Sequence, residues 1–339
     1  MKKKLIKPPE GNREILFLPD AREILYCSSG LQRAGVPHQP YFFNPGVSVK
    51  FLFLETLPAQ QKSIIFLDTD RVRIEARMPA GEGQTHDVRF ISSEEALFEF
   101  SCPGRAIFED FFASCEESLR KALKRDRETA LSSFFCFKDI CLKNCSKKYL
   151  KDVLAESFLQ FYGIKRGYSF LSDVISGYEF KEFILKIFHD SKLFQNVFNS
   201  ALDDYRKEFR FRYKNFPFPR LEDGELPFWI VKKGRRKRCF KKDIDITGLT
   251  QNIIFPRAAT LTIFLRLYKL DMFIHGVGGG NYEWVQDRVI ERFFQIAPPF
   301  YAVASGTFLF EGYREREFPY FLFSPEDIKS ALRERMEKA

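Results

Sequence analysis

The sequence predicts an α/β protein whose Rossmann-like, mostly parallel sheet is interrupted by a helical insertion. Short extended runs alternate with helical periods near both ends of the chain, in the strand, helix, strand order that is typical of parallel sheets. Between them, long stretches repeat apolar residues every three or four positions, as in helices that pack along one face. The predicted divisions are an N-terminal half of the core at residues 1–108, a helical insertion at 109–213, and a C-terminal half with a glycine-rich loop at 214–339.

The N-terminal half is predicted to contain three strands and a helix. The runs EILYCSS (23–29), SIIFLDTD (63–70) and VRIEARMP (72–79) are rich in apolar and β-branched residues between turn residues, which favours strands. The apolar run VSVKFLFLETL (47–57) lies between the first two and predicts a helix. The resulting strand, helix, strand order is the unit of a parallel sheet.

The remaining helices and strands are predicted from the same two spacings of apolar residues, the helical one and the strand one. Helical spacing appears in FEDFFASCEESLRKALKRD (108–126), KKYLKDVLAESFLQFYG (147–163) and EFKEFILKIFHD (179–190). After residue 216 the predicted order is a strand at LPFWIV (226–231), a helix at RAATLTIFLRLYKL (257–270), a strand at MFIHGV (272–277), a helix at EWVQDRVIERFF (283–294) and a strand at YAVASGTFLF (301–310).

The net charge of +9 raises the possibility of a nucleic-acid partner, but the distribution of charge weakens it. Both signs are interspersed, and only MKKKLIK (1–7) and KKGRRKRCFKK (232–242) stand out. The second run is predicted to form a solvated hairpin around Gly234. The most apolar long segment, residues 258–274, carries Arg266, Lys269 and Asp271, so no membrane span is predicted. Seven cysteines, an odd number, indicate reduced thiols and a cytoplasmic location.

A glycine-rich stretch follows the predicted strand at residues 272–277. Four glycines lie within five residues, which predicts a strand-to-helix turn with positive φ or a closely approached backbone. Amides at the start of a helix suit anionic groups. A tight structural turn capped by Asn281 is the alternative, and His275 either faces the cleft or packs under the turn. The glycines are Gly276, Gly278, Gly279 and Gly280.

A second loop, HQPYFFNPGVSVK (38–50), also stands between a predicted strand and a predicted helix. Its His38 could donate to a phosphate or act as a general acid or base, or it could simply bond a neighbouring carbonyl group. Gln39 adds a polar side chain, and Gly46 allows close approach. Both loops are expected at the carboxyl edge of one sheet, where they would form a single hollow that favours anions.

Other polar residues are candidates for the same edge. Asp68 and Asp70 end a predicted strand, where they could hold a ribose, an amino group or Mg²⁺, or could serve as caps. Arg257 begins a helix, where a cation is unfavourable, which indicates an anionic ligand or an internal carboxylate such as Asp68. Trp229 could flank a ligand ring or belong to the core, and Ser305 is predicted to line the pocket.

The first loop carries a resemblance to known families. Its HQPYF, PG and final Lys resemble the N-terminal motif of the WbqC-like polysaccharide-biosynthesis proteins and the corresponding loop of the bacillithiol cysteine-adding ligases (BshC). FPRAATLTIFLRLYKLDMFIHGVGGGNYEWV (255–285) and PPFYAVASGTFL (298–309) resemble the Pro-Arg-Ala segment, the Gly-Gly loop and the final strand of these ligases. The resemblance covers about residues 35–79 and 199–310.

The resemblance implies a Rossmann-like core and a BshC-like, amide-forming ligase or transferase that acts on a small amine such as an amino-sugar conjugate. By position, it assigns His38 and Gln39 to the first loop, Asp68 and Asp70 to the end of the next strand, Arg257 to the Pro-Arg-Ala segment, and Gly278 and Gly279 to the Gly-Gly turn. The predicted catalytic residues are His38, Asp68, Asp70, Arg257 and His275. The predicted binding residues are Gln39, Asn44, Gly46, Lys50, Glu225, Trp229, Gly276, Gly278, Gly279, Gly280, Tyr282 and Ser305.

The expected partners are a small-molecule substrate, such as an amino sugar with an amino acid, and ATP with Mg²⁺. No metal site built from protein side chains is predicted. If ATP is used, a carboxylate would be activated as an acyl phosphate or adenylate, and His38, Arg257 and the loop amides would stabilise the developing negative charge. Two alternatives stay open: a nucleic-acid-binding module that uses the basic run at residues 232–242, and a non-catalytic relative that scaffolds a biosynthetic complex.

Overall fold

A six-stranded sheet forms the centre of the fold. The structure is a computed structural model, and it describes residues 5–213, 216–232, 235–244 and 254–338. The strands are β1 (Glu14–Leu18), β2 (Arg33–His38), β3 (Gln61–Phe66), β4 (Arg71–Gly81), β5 (Gln84–Ala96), β6 (Tyr168–Phe170), β7 (Glu225–Lys232), β8 (Arg235–Phe240), β9 (Ile254–Pro256), β10 (Met272–His275) and β11 (Phe300–Thr307). The α-helices are α1 (Ala21–Ser29), α2 (Pro45–Thr56), α3 (Arg105–Ala122), α4 (Arg127–Asn144), α5 (Leu150–Tyr162), α6 (Leu171–Val174), α7 (Tyr178–His189), α8 (Ser191–Phe209), α9 (Ala258–Tyr268), α10 (Val277–Val289) and α11 (Pro325–Glu337).

The central sheet has the order β1, β11, β10, β2, β3, β6. Every neighbouring pair is parallel except β1 and β11, which are antiparallel. The predicted α/β class with a mostly parallel, Rossmann-like sheet is therefore confirmed. From β2 the chain adds β3 and then β6 on one side, whereas β10 and β11 lie on the other side. The strand order thus reverses between β2 and β10, and ligands of open α/β sheets bind at such a reversal.

Helices cover both faces of this sheet because successive side chains of a strand point to opposite sides. On β3, Ile64 and Phe66 belong to one hydrophobic cluster and Ile65 belongs to a second. Helix α2 contributes Phe51 to the first cluster, and α10 contributes Val285 to the second. Buried side chains of this size each stabilise the fold by about 1.5–3 kcal/mol. The two clusters hold α2 and α10 rigidly on the sheet, and both helices begin at its carboxyl edge.

The segment at residues 109–213, predicted as a helical insertion, is mostly helical and also completes the sheet. It contains helices α4 to α8 and most of α3, and its only strand, β6, pairs in parallel with β3. The segment is therefore tied to the core through an edge strand. None of the described helices is long and apolar enough to cross a membrane.

Two smaller antiparallel units flank the central sheet. Strands β4 and β5 pair with each other, and β8, β7 and β9 form a three-stranded sheet. The predicted strand at residues 226–231 thus belongs to the smaller sheet. The basic run at residues 232–242 forms a hairpin, as predicted, in which β8 pairs with β7. Residues 233–234 of that run and residues 1–4 of the N-terminal basic run lie outside the described residues.

The predicted strand at residues 23–29 is wrong, because this segment forms helix α1. The side chain of Asp20 caps the helix by accepting a hydrogen bond from the Arg22 amide at 3.1 Å. The buried residues Ala21, Ile24 and Ser28 recur at helical spacing along one face. The strand that precedes the first loop is instead β2, which begins at Arg33.

Candidate functional site

Two histidines end the two strands at which the strand order reverses. The register aligns Phe273 of β10 with Gly35 of β2, so that His275 and His38 follow at the same edge. We call this edge, where β2 and β10 end, the switch point. The histidine-containing loop and the glycine-rich segment both start there, because each follows one of these strands. The expected meeting of the two segments at one sheet edge is therefore observed.

His38 is packed against aromatic rings and bonded to its own loop. Its Nδ1 lies 2.9 Å from the carbonyl oxygen of Gln39, and its ring contacts Phe43 with centroids 4.9 Å apart. Burial, together with the charge of Lys50, holds the pKa of His38 well below its ordinary value. The imidazole is therefore neutral at pH 7, the form in which it can accept a proton.

Lys50 is a buried cation without an acidic partner. Its side chain reaches back along α2, where Nζ donates to the carbonyl oxygen of Pro37 at 3.2 Å. The residue is only 3% exposed. Within the described part of the chain, no carboxylate lies within ion-pair distance of it. Burial lowers the pKa of Lys50 to about 7, and its charge lowers the pKa values of both His38 and His275.

His275 faces away from open solvent and begins a buried chain of charges. Its Nε2 lies 2.7 Å from Glu283 of α10, and Glu283 in turn pairs with Arg266 of α9. Arg266 also contacts Asp287 at 2.8 Å and the carbonyl oxygen of Pro299. Burial lowers the pKa of His275 despite the opposing effect of Glu283. Of the two predicted positions of the His275 side chain, the structure favours the one in which it packs under the glycine segment.

The predicted glycine turn is wrong in its conformation. Gly276 caps α10, and Gly278, Gly279 and Gly280 already lie in its first turns. None of these four glycines has a positive φ. A side chain at Gly279 would overlap the ring of His275, and one at Gly280 would overlap Val303 of β11. These two glycines therefore permit close packing of α10 against the sheet, which is a structural requirement.

The other two glycines leave the start of α10 open. Among the described residues, no atom beyond the adjoining backbone lies within 4 Å of where a Cβ would stand on Gly276 or Gly278, and no described side chain caps this helix. The free amides of a first turn attract anions. Asn281 is not a cap, because its side-chain amide forms two hydrogen bonds with the backbone of Ile6, at 2.7 and 2.9 Å. The N-terminal segment thus packs beside the helix start.

Asp68, a predicted catalytic residue, has a structural environment. It is fully buried and accepts hydrogen bonds from the amide and hydroxyl groups of Ser172, at 2.9 and 2.6 Å. Lys151 Nζ lies 3.2 Å away. Burial raises the pKa of Asp68, and these donors oppose the rise. The prediction that Asp68 could cap a neighbouring element describes this arrangement best.

Asp70 links the first loop to the basic hairpin. Gln39 donates to one of its carboxylate oxygens at 3.1 Å, and Arg236 of β8 pairs with the other at 2.5 Å. Arg236 also stands over the ring of Trp229 at 4.7 Å. Asp70 and Gln39 therefore lie at the rim of the switch point, with the hairpin closing one side.

Arg257 and Glu225 form an internal ion pair. The guanidinium group of Arg257 lies 2.6 Å from Glu225, 3.2 Å from the carbonyl oxygen of Phe228 and 4.4 Å from the Trp229 ring centroid. The expectation of an internal carboxylate is met, but the partner is Glu225 and not Asp68. Arg257 and Glu225 thus join α9 to β7. The guanidinium groups of both Arg236 and Arg257 lie over the Trp229 ring, so the observed neighbours of this ring are cations of the protein itself.

The remaining predicted binding residues mostly support the fold. Asn44 caps α2 by accepting from the Val47 amide at 3.2 Å and donates to Glu317. Gly46 lies so close to β11 that any side chain would overlap the carbonyl oxygen of Gly306. Tyr282 packs against Phe216 and Phe218. Ser305 is buried in β11.

Sequence reasoning missed Arg266, Glu283 and Arg236 as neighbours of the site. Arg266 was visible as a charge inside the apolar helix at residues 258–274, and such a charge needs a buried partner. Glu283 was predicted in the first turn of a helix, where it would stabilise the helix dipole and repel a phosphate, and its pairing with His275 and Arg266 was not foreseen. Arg236 lay in a run of similar basic residues, where nothing local distinguishes the one that pairs with Asp70.

The chemistry of this site is defined by its own residues. The described residues contain no group of three or more His, Cys, Asp or Glu side chains that could hold a metal ion. The chain matches no protein-family model, and no curated protein matches its sequence. The switch point contains a neutral imidazole, a buried lysine with no acidic partner among the described residues, and the open start of a helix.

Proposed function

We propose that the protein is an enzyme that forms or transfers a carbon–nitrogen bond on a small amine, such as an amino-sugar conjugate, and that holds a phosphate-bearing group at the switch point. One observation carries the proposal. Adjacent parallel strands at the strand reversal end in His38 and His275, near Lys50, for which the described residues supply no carboxylate partner, and beside the uncapped start of α10. A buried cation and free helix amides together favour an anion there.

The residues of the switch point have distinct roles in this proposal. Neutral His38 accepts the proton that an attacking amine loses as its nitrogen bonds to an activated carbonyl carbon, and the phosphate-bearing group would leave from that carbon with the bonding electron pair. The amides of Val277 and Gly278 hold the anionic group. Gln39 and Asp70 lie at the rim, where they would hold the amine or a sugar hydroxyl. Asp68, Arg257 and Glu225 position the surrounding elements.

ATP fits this arrangement as the phosphate-bearing group. When bound, it supplies the activation of a carboxylate for amide formation. Its phosphates would be held by the first turn of α10 and by the charge of Lys50, and Asp70, which accepts a hydrogen bond from Gln39 of the first loop, would be the carboxylate for an accompanying Mg²⁺. The bonds that Asp70 makes with Gln39 and Arg236 would compete with that role.

The two alternatives draw less support. In the basic hairpin, Arg236 pairs with Asp70 at 2.5 Å and Arg238 pairs with Glu222 at 2.5 Å, so both arginines are already neutralised. A polyanion would have to break these pairs, which weakens the nucleic-acid interpretation. A non-catalytic scaffold would gain nothing from a buried lysine that lowers the stability of the folded protein.

Replacing Gly278 with aspartate is expected to weaken anion binding while keeping the fold. Gly278 is exposed and its side-chain space is open, so the aspartate fits. A carboxylate in the first turn stabilises a helix but repels an anion from the same amides, by about 1–2 kcal/mol, which is roughly 5- to 30-fold in affinity. Calorimetric titration with ATP, with and without Mg²⁺, and with inorganic pyrophosphate measures the loss.

The matched control is Gly278→Asn, which has the same shape without the charge and is expected to bind within about threefold of the wild type. Two results contradict the proposal: no binding of any probe to the wild type, or binding that Gly278→Asp leaves unchanged.

Replacing His38 with asparagine is expected to lower the rate of amide formation about 100-fold or more, because the neutral base is lost. The rate is measured by mass spectrometry of mixtures that contain ATP, glucosamine and amino acids. His189→Asn, which changes an exposed histidine on α7, is the control and is expected to be silent. Equal rates in both variants would exclude His38 as the base, and absence of any amide product would count against ligase chemistry.

A further inference from the structure

Lys50 is the least compensated charge at the switch point. It stands in the second turn of α2 with Nζ on the carbonyl oxygen of Pro37, and the ring of Phe51 lies 5.6 Å away. A main-chain oxygen satisfies one donor of an ammonium group but does not neutralise its charge. The rings of Phe43 and Phe66 pack against that of Phe51, with centroids 5.9 and 6.1 Å apart, so Lys50 stands beside an aromatic cluster.

The charged and titratable groups that face Lys50 do not supply the missing negative charge. From β2 it is faced by His38, and from β10 by His275, both of which its charge affects. Behind His275 stand Glu283 of α10 and Arg266 of α9, which pair with each other. On α2 itself, Glu55 lies at the far end and pairs with Arg166. The other negative groups near the switch point are thus already engaged.

We propose that Lys50 loses its proton readily while the switch point is empty and is held in its ammonium form when a phosphoryl group binds there. The inference rests on the proposed function, because it assigns the class of ligand and the way in which binding is regulated. The anion provides the counter-charge that the protein does not, and the ammonium form then becomes favourable in the buried position. Binding of the anion and protonation of Lys50 are therefore linked, each promoting the other.

The linkage has a defined direction in pH. The pKa of Lys50 in the free protein is about 7, below the ordinary value of 10.5, and the bound anion raises it. Between the free and the bound values, the complex holds more protons than the free protein. Affinity for the anion is therefore highest below about pH 7 and falls by up to about tenfold per pH unit above it.

Sulfate is the best first probe, because it keeps the same charge from pH 6 to pH 9 and any pH dependence then belongs to the protein. Inorganic pyrophosphate and ATP are the second and third probes. Equal affinity for these two would assign the site to free phosphoryl groups, and tighter binding of ATP would assign it to a nucleotide. Dissociation constants are measured by calorimetry at each pH, with the full-length protein.

Two substitutions of Lys50 distinguish protonation of this lysine from protonation of His38 and His275. Lys50→Met keeps the length of the side chain and both histidines but has no charge; it is expected to bind sulfate at least about tenfold more weakly at pH 6, with little change up to pH 9. Lys50→Arg keeps its charge at every pH and is expected to bind with a flat profile at close to the wild-type affinity of pH 6. Thermal denaturation verifies that each variant is folded.

The inference is overturned if wild-type affinity for sulfate does not change from pH 6 to pH 9, or if Lys50→Met keeps the same profile. In either case, binding that is still weakened in Gly278→Asp leaves the proposed function standing. Failure of all three probes to bind the wild type removes both the inference and the proposed anion site.

Discussion

Replacing Arg266 with methionine is expected to lower the free energy of unfolding by about 3–5 kcal/mol, because it leaves two carboxylates without their cation. The side chain of Arg266 is 1% exposed and contacts both Glu283 and Asp287. Glu283 has no access to solvent, so water cannot replace the lost partner. The measurement is chemical denaturation followed by circular dichroism.

Arg292→Met is the matched control. Arg292 pairs with Asp204 at the surface, where both side chains are nearly half exposed, and its loss is expected to cost at most about 1 kcal/mol. Equal destabilisation by the two substitutions would mean that the buried chain from His275 to Asp287 does not hold α9 and α10 on the sheet.

Replacing Lys50 with methionine is expected to stabilise the protein by about 2–5 kcal/mol at pH 6, the second largest effect. The folded pKa is about 7 and the unfolded value is 10.5, and each unit of difference corresponds to about 1.4 kcal/mol. The unfolded chain therefore binds more protons between pH 7 and pH 10.5, and wild-type stability rises with pH across that window. Below pH 7 the buried charge of Lys50 lowers the stability of the folded protein by its full amount, and above pH 10.5 this loss of stability is absent.

Denaturation curves of wild type and Lys50→Met at pH 6, 8 and 10.5 measure this effect. The stabilisation is expected to be largest at pH 6 and to disappear near pH 10.5. Lys143→Met, on the exposed face of α4, is the control and is expected to change stability little at any pH. A pH-independent gain in Lys50→Met would show that the lysine is paired or solvated in the folded protein.

Most helices and strands could be predicted from the sequence, because apolar residues recur at a different spacing in a helix than in a strand. The run at residues 47–57 is mostly apolar and lies between Pro45 and Pro58, and it forms most of the buried helix α2. The strand at residues 272–277 is short and apolar, and it forms β10. The strand prediction at residues 23–29 was wrong because seven residues are too few to distinguish the helical spacing of apolar residues from the strand spacing. The cap that Asp20 provides was also overlooked.

The candidate site was predicted less completely. One edge of the sheet does hold four predicted features, which are His38, Lys50, His275 and the start of α10. Each lies at the end of β2 or β10 or in the helix that follows, and the alternation of strands and helices along the chain restricts which strands can be neighbours. The role of the glycines was misjudged, since Gly279 and Gly280 are required by the His275 ring and Val303, neither of which is evident from the local sequence.

By itself, the sequence determined the α/β class, most helices and strands, and the two segments that meet where β2 and β10 end. These features follow from side-chain direction, which repeats along the chain with the period of each element. Only the tertiary structure decided which charges are paired. Asp70 finds Arg236 across 166 residues, Glu283 finds Arg266 across 17, and Lys50 finds no acidic partner in the described part of the chain. The physical reason is that a buried charge is stabilised only by groups that folding brings within a few ångströms, and no local pattern encodes that distance.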